Sequence, residues 1–183
     1  MITNKNIESK EFVSKFIEPG ITEAKITKIE SIKAATGTYG LKITFETAPV
    51  AGLNGMGRTA EERMYLSEKA TPITVGRLRR IADAIGVRSQ FDEFQADEAT
   101  YGNAISSLFV NKSARYLFQG KEVAGKNGKN WYKAELYTGF SFVEPLSVNP
   151  TKLVFNPDIH LKPLETVSPN AGTVVNKKVE ELY

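Results

Sequence analysis

The fold of this chain is decided by the stretch GITEAKITKIESIKAATGTYGLKITFE, residues 20–46. In its second half Leu41, Ile43 and Phe45 alternate with polar residues, and this period of two is typical of a half-buried β-strand. Residues 36–38 (Thr-Gly-Thr) predict a turn before this strand, and the residues from Gly20 onward predict a long first strand. The stretch therefore predicts two successive strands joined by a tight turn.

The first strand contains an irregularity. Ala24 and Ile26 share one face of the predicted strand, but Ile29 breaks their alternation. One extra residue near Thr27 or Lys28 explains the change, because a β-bulge places two residues of one strand opposite one residue of its partner. We therefore expect the strand to curl at this point and to serve two sheets of one barrel.

A third strand follows a glycine-rich loop over residues 49–58. Met64 and Leu66 are in phase with each other and predict the side that faces the core. Arg63 and Tyr65 alternate with them and are therefore expected to point outward.

One helix is predicted between the third and fourth strands. Thr71-Pro72 is typical of a capped helix start, and Gly86 is typical of a helix end. Apolar residues recur every three or four positions between these limits, which predicts that one face of the helix covers the barrel. Arg77 and Arg80 are expected on the opposite, charged face. A short helical insertion is predicted within residues 90–111.

The last two strands are predicted to form a hairpin, with the fourth over residues 113–119 and the fifth over residues 131–143. Asn127-Gly128 between them is a strong hairpin signal. The fold class is therefore mainly β: a five-stranded, closed barrel of the oligonucleotide-binding type with one capping helix, a short helical insertion and an extended C-terminal tail. The predicted organisation is an N-terminal arm (1–18), a barrel domain (19–145) and a proline-rich tail (146–183) that is partly disordered.

Composition sets limits on the class of protein. The chain has 183 residues, of which 41% are hydrophobic, and this suits a single domain of ordinary size. There is no cysteine, which excludes disulfide frameworks and thiolate metal sites and favours a reducing compartment. The first residues contain no long apolar run, so we expect neither a signal peptide nor a membrane span.

The distribution of charge points to an anionic partner. Lysine and arginine exceed the acids by only three (24 minus 21), but two zones are strongly basic. Residues 69–88 carry five basic residues and one acid, and residues 111–133 carry six and one. Such zones are able to hold a phosphate backbone. A solvated surface of mixed charge is the alternative reading.

Single-stranded nucleic acid is held by flat rings that stack on bases and by cations that follow the phosphates. Two outward pairs, Arg63 with Tyr65 and Trp131 with Lys133, have this chemistry, and Lys42 is expected on the same outward side of the second strand, together with Tyr39. The candidate DNA-binding residues are Lys33, Tyr39, Lys42, Arg58, Arg63, Tyr65, Arg115, Lys126, Lys129, Trp131 and Lys133.

Each candidate also has a structural explanation, because aromatic residues in strands commonly pack in the core or at an edge, and lysines in turns keep them soluble. The other aromatic residues of the fourth and fifth strands are assigned to packing, since small barrels need bulky inward side chains. These residues are Tyr116, Phe118, Tyr132, Phe140 and Phe142.

The sequence lacks the residue patterns that catalytic sites usually need. His160 is the only histidine and is expected at the surface of the tail, so histidine metal clusters and catalytic triads are not available. The glycines of residues 52–57 are not followed by the Gly-Lys-Ser/Thr of a phosphate loop. Adjacent acids such as Asp92-Glu93 would have to gather with others to bind magnesium for a nuclease. We therefore expect no enzyme, cofactor or metal.

Several segments resemble a family of bacteriophage single-stranded DNA-binding proteins with an oligonucleotide-binding fold. The resemblance covers residues 16–143 and rests on FIEPG (16–20), KAATGTYGLKITF (33–45), YLS (65–67), AIGV (84–87) and GKNGKNWY (125–132). It implies sequence-independent coating of single-stranded DNA during phage replication or recombination, in the cytoplasm of an infected bacterial host, with no cofactor.

The end of the chain departs from that family, whose members often carry a strongly acidic tail that recruits partner enzymes. Here only two acids precede two apolar residues, and the candidate partner-binding residues are Glu180, Glu181, Leu182 and Tyr183. Two other functions stay open: an interaction or structural module that uses the same barrel to hold a protein, and a metal-dependent nuclease.

Overall fold

A computed structural model describes residues 13–125 and 128–164 of the chain. The elements in chain order are β1 (Gly20–Lys33), β2 (Tyr39–Pro49), β3 (Gly57–Tyr65), α1 (Thr71–Ala84), α2 (Arg88–Glu93), α3 (Tyr101–Phe109), β4 (Ser113–Val123), β5 (Trp131–Leu136), β6 (Val143–Glu144), α4 (Pro157–His160) and β7 (Leu161–Lys162). None of the helices within the described ranges is long and apolar enough to cross a membrane.

The strands form one sheet in the order β3-β2-β1-β4-β5, and both β6 and β7 pair with β4. The prediction of a mainly β protein is confirmed, but the prediction of a closed five-stranded barrel is wrong, because β3 and β5 form no ladder with each other. Part of the β3 edge is already taken: Thr59 donates its backbone N–H to Lys15 and accepts one from Ile17, each at 2.9 Å. The sheet is therefore open along the seam between β3 and β5.

The predicted bulge in β1 is confirmed. The register between β1 and β2 shifts between Ile26 and Lys28, so that Thr27 is the extra residue. On one side of the shift, residues 20–25 of β1 pair with β4, and on the other side β1 pairs with β2 alone. Since a bulge bends a strand and increases its twist, one strand is able to join both halves of the curved sheet.

Helix α1 has the predicted position, but its start differs from the prediction. Ala70 occupies the N-cap position, and the Thr71 hydroxyl donates to the carbonyl of Ser67 instead of accepting from the helix. The prediction that Thr71 caps the helix is therefore wrong. At the other end Gly86 has φ +76°, and its N–H bonds to the Asp83 carbonyl. Glycine adopts this left-handed conformation without steric cost, so the predicted helix end is confirmed.

The predicted helical insertion is present as two helices, α2 and α3. Helix α3 packs closely on β1, because Gly102 has no side chain: a Cβ there would lie 2.8 Å from the Glu30 carbonyl. Asn103 and Ser31 exchange two hydrogen bonds of 2.9 and 3.1 Å at the same contact. Ile105 and other apolar residues of α3 are buried in the core beneath it.

The segment after β5 lies along β4: β6 and β7 pair with it, and the Arg115 side chain binds Glu144 and the Val148 carbonyl. Leu117 and Gln119, which alternate with the inward residues of β4, are also buried. The tail predicted from residue 146 lies against the sheet as far as β7, and residues 165–183 lie outside the described part of the chain. The expectation that His160 lies at the surface is wrong: it is buried, its Nδ1 accepts the Asn156 N–H at 2.8 Å, and its ring contacts Tyr137.

Candidate nucleic-acid interface

The outward face of β2 and β3 carries the first part of the candidate site. Lys42 lies directly opposite Arg63 in the ladder, and Gly40 lies opposite Tyr65. The alternate residues Leu41 and Met64 are buried, so the side chains of Lys42, Arg63 and Tyr65 face away from the core, as predicted. Tyr65 and Arg63 are thus neighbours on one surface.

A groove separates β3 from β5, and we call it the β3–β5 groove. A cavity of about 390 Å³ forms one end and a space of about 350 Å³ the other. The first is lined by Phe16, Ile17, Thr44, Thr59, Ala60, Glu61, Trp131, Lys133 and Ala134, and the second by Glu61, Glu62, Arg63, Lys133 and Glu135. Residue numbers rise in the same direction on both walls, so the two strands run parallel. The groove brings Arg63, Trp131 and Lys133 together.

An aromatic pair forms one end of the groove. The ring of Trp131 stacks on that of Phe16, with 6.1 Å between centroids and 21° between planes. Both rings are partly open to solvent, at 44% and 49% of their full exposure. Sequence reasoning missed Phe16, because its position depends on the bridge that residues 15–17 make with Thr59. Phe16 alternates with Ile17, which is buried, and this alternation is the local signal that Phe16 faces outward.

Acidic side chains lie between the cations of this surface. Lys42 Nζ is 3.5 Å from carboxylate oxygens of both Glu30 and Glu61, and Lys133 Nζ is 3.7 Å from Glu135. Within the described ranges, Arg63 has no carboxylate oxygen within 4 Å. Arg63 is therefore the cation of the groove that is most available to a phosphate.

A buried ion pair, which we call the seam clasp, holds β5 against β3. Arg77 Nη1 lies 2.8 Å from Glu62 Oε1, and Glu62 Oε2 accepts the N–H of Leu136 at 3.1 Å. Arg77 also donates to the Leu136 carbonyl at 3.2 Å. Burial raises the pKa of Glu62, although Arg77 acts in the opposite direction. The prediction that Arg77 lies on the exposed face of α1 is wrong, because these partners draw it into the seam.

Tyr39 and Lys33 lie apart from the groove. Tyr39 is in phase with the buried Leu41, so the prediction that it shares the outward face of Lys42 is wrong. Lys33 Nζ is 4.8 Å from the Tyr39 ring centroid, beside the turn that joins β1 and β2. The two residues form a separate cation–π pair at this turn.

Two predicted arginines bind carboxylates of the protein itself. Arg115 contacts Glu23 at 2.8 Å and Glu144 at 2.7 Å, and joins β4 to β1 and β6. Arg58 contacts Glu18 at 3.2 Å and is out of phase with Arg63 along β3. Both arginines therefore lie away from the groove surface, with structural partners.

The hairpin tip is described in part. Lys129 is exposed immediately after Gly128, which has φ +72°, whereas Lys126 lies outside the described residues. The candidate partner-binding residues, Glu180 to Tyr183, also lie outside them.

The aromatic residues assigned to packing divide into two groups. Tyr116, Phe118 and Phe142 are fully buried, as predicted. Tyr132 and Phe140 are exposed, so their assignment to packing is wrong. Phe140 lies in the loop after β5, where Arg80 of α1 holds its carbonyl at 3.0 Å.

Among the described residues no group of three histidine or acidic side chains is arranged to hold a metal ion. Asp92, one of the acids considered for magnesium, instead binds Arg79 and Arg88, and the hydrogen bond from Arg88 lowers its pKa. No protein-family model matches the chain, and no curated protein matches it in sequence. Its function is therefore inferred from the groove itself.

Proposed function

We propose that this protein binds single-stranded DNA, without preference for sequence, along the β3–β5 groove. The observation that carries the proposal is a groove with the stacked rings of Phe16 and Trp131 at one end and with Arg63 and Lys133 along it. Tyr65 lies two positions beyond Arg63 on the outward face of β3. Six residue steps along β3 separate Thr59 from Tyr65, which corresponds to about 20 Å. Rings suit bases, and cations between them suit phosphates.

The order of the elements supports the finer assignment to an oligonucleotide-binding barrel. That fold is a five-stranded, partly open Greek-key barrel whose second and third strands bind oligonucleotides. Here β3 and β5 face each other across an open seam, and the helices α1–α3 lie between β3 and β4 in the chain. Lys42, Arg63 and Tyr65 lie on the face of β2 and β3 that corresponds to the binding surface of this fold.

The resemblance to phage single-strand binders extends the proposal. It assigns to the protein the coating of single strands during phage replication or recombination, without catalysis or a cofactor, in the cytoplasm of an infected bacterium. Sequence-independent binding agrees with the chemistry of the groove, because ring stacking and phosphate contacts do not distinguish bases strongly.

The test uses the single tryptophan as a reporter. We expect Trp131 fluorescence to quench on titration with oligothymidine, and log K to fall with log salt by about 0.7 for each phosphate neutralised. Arg63→Ala and Lys133→Ala should each lower that slope by about 0.7. Arg79→Ala is the matched control, since Arg79 is an exposed arginine of α1 that pairs with Asp92. Absence of both quenching and a mobility shift at low salt would reject the proposal.

One observation favours a second candidate, a protein-interaction module without a nucleic-acid ligand. Glu61 and Glu135 line the groove beside its cations, and their charge opposes phosphate but suits a peptide of mixed charge. In this case the purified protein would carry no nucleic acid and would not shift oligothymidine, and Tyr65→Ala would weaken only a protein complex. The titration above separates the two functions.

A further inference from the structure

A second groove lies on another part of the molecule, between α1 and the segment after β5; we call it the α1 groove. Its volume is about 450 Å³, and apolar side chains including Val143, Val148 and Leu153 line much of it. Phe140 stands at its edge and is 77% exposed, the highest value among the large apolar side chains of the described residues. The groove is therefore an apolar surface without a partner in the described structure.

Arg80 fixes the exposed ring in place. Its guanidinium carbon lies 3.8 Å from the centroid of Phe140, and its Nη1 donates to the Phe140 carbonyl at 3.0 Å. A cation over one face of an aromatic ring orients that ring and leaves the rest of it available for contact. The edge of the groove is therefore prepared for an apolar side chain before any ligand arrives.

In the α1 groove the acidic side chains are engaged in ion pairs, whereas the basic side chains remain available to a ligand. Its two acids are already bound: Asp83 contacts Arg88 at 2.7 Å, and Glu144 contacts Arg115 at 2.7 Å. Arg80 and Lys152, in contrast, have no carboxylate oxygen within 4 Å among residues 13–125 and 128–164. The available charge is positive, so the groove suits a segment that carries carboxylates next to large apolar side chains.

We propose that the α1 groove holds the chain's own segment Val179-Glu180-Glu181-Leu182-Tyr183, which we call the tip. The tip has the complementary chemistry: two carboxylates for the two available cations, followed by two large apolar side chains for Phe140 and the apolar wall. The β3–β5 groove fits the tip less well, because its acids Glu61 and Glu135 lie 3.5 and 3.7 Å from their lysine partners, farther than the 2.7 Å of the two acids in the α1 groove, and so repel a carboxylate more.

The connecting chain is long enough. The described residues end at Leu164, whose N–H is bound by Glu122 at 2.8 Å. Fourteen residues lie between Leu164 and Val179, and the 15 residue steps of an extended chain span about 50 Å. Glu122 pairs with Tyr132, which is only eight residues before Phe140 and so within about 28 Å of it. The tip is therefore able to reach the α1 groove of its own molecule.

The test exploits the absence of cysteine from the chain. Ser141→Cys introduces one thiol in the groove, and Leu182→Cys introduces one in the tip. The control pair combines Leu182→Cys with Ser107→Cys, at an exposed serine of α3 that does not line the groove. We expect the Ser141 pair to form its intramolecular disulfide at least about fivefold faster than the control pair, because docking raises the effective concentration.

Two further substitutions identify the interactions. Lys152→Glu and Phe140→Ala, each added to the Ser141 pair, should lower the rate about three- to tenfold, whereas Lys112→Glu should leave it unchanged. Phe140 is largely exposed, so its removal is not expected to disturb the fold, and circular dichroism checks this for every variant. Equal rates for the two cysteine pairs, insensitivity to Lys152→Glu and Phe140→Ala, or disulfide-linked dimers alone would overturn the proposal. This result does not depend on whether the β3–β5 groove binds DNA.

Discussion

Removing the carboxylate of the seam clasp tests whether the clasp holds the open side of the sheet together. In the Glu62→Ala variant, Arg77 would be left as a buried charge without its partner at 2.8 Å, and the Leu136 N–H would lose its acceptor. Both side chains of the pair are only 12–13% exposed, so water replaces these interactions poorly. Breaking one half of a buried pair typically costs about 3–5 kcal/mol.

The double variant Glu62→Leu/Arg77→Met gives the matched control. It removes both charges and keeps apolar volume in the seam, and such replacements are often neutral or even stabilising. We therefore expect the free energy of unfolding to fall by about 3–5 kcal/mol in Glu62→Ala and by less than about 1.5 kcal/mol in the double variant. Urea unfolding at pH 7, followed by Trp131 fluorescence and circular dichroism, measures both values.

The pH dependence of a third variant, Arg77→Met, follows from the raised pKa of Glu62. A carboxyl group whose folded pKa is raised binds more protons in the folded state, so its contribution to stability falls as pH rises through the window above its unfolded pKa. Loss of Arg77 removes an interaction that lowers this pKa and should widen the window. Arg77→Met should therefore be most destabilised at neutral pH and recover toward pH 4. A loss below about 1 kcal/mol in Glu62→Ala, or equal losses in Glu62→Ala and the double variant, would refute this account of the seam.

Three further predictions concern the groove, the C-terminal segment and the helix contacts. Glu61→Gln should strengthen oligothymidine binding, because it removes a repulsive charge; weaker binding in the titration would contradict this. Burial acts to raise the pKa of Glu144, but hydrogen bonds, led by that from Thr151, outweigh burial and lower the pKa. The ionised Glu144 therefore contributes stability above the ordinary carboxyl pKa, and this contribution is lost as pH falls through the folded pKa. Urea midpoints of the wild type and Glu144→Gln should therefore converge in acid. Gly102→Ala should destabilise the protein by about 1–3 kcal/mol, whereas Gly76→Ala, with open space around it, should stabilise it by about 0.4–1 kcal/mol; thermal melts that reversed this order would disprove the contact.

Local features of the fold could be predicted from the sequence because their causes lie within a few residues. The change of phase between Ile26 and Ile29 was enough to locate the bulge near Thr27 or Lys28, and the register identifies Thr27 as the extra residue. Gly86 ended α1 because its backbone conformation is one that other residues avoid. In both cases the signal and its structural consequence lie side by side in the chain.

The state of the seam could not be predicted in the same way, because it depends on residues that are distant in sequence. Glu62 meets Leu136 across 74 positions, and residues 15–17 take the β3 edge at Thr59, more than 40 positions away. The same reason explains Arg77, whose place on α1 gave no indication of its partners on other elements.

The positions of site residues could be predicted where strand alternation determines them, but not where ion pairs with distant residues determine them. Arg63, Trp131 and Lys133 meet at one groove, as their strand positions required. Strict alternation along β2 puts Tyr39 in phase with Leu41 and therefore off the outward face of Lys42. The sequence around Arg115 shows its charge but not its two carboxylate partners, which come from β1 and β6.

The pairing of β7 with β4 determines how the protein tolerates being shortened. A chain cut after residue 145 would keep the five long strands but would lose β7, the partner of Gly120 and Lys121 on β4. An unpaired strand edge of this kind is a site at which molecules associate. Anyone seeking a minimal folded fragment should therefore retain the chain through Lys162, even though most of the sheet is complete well before that point.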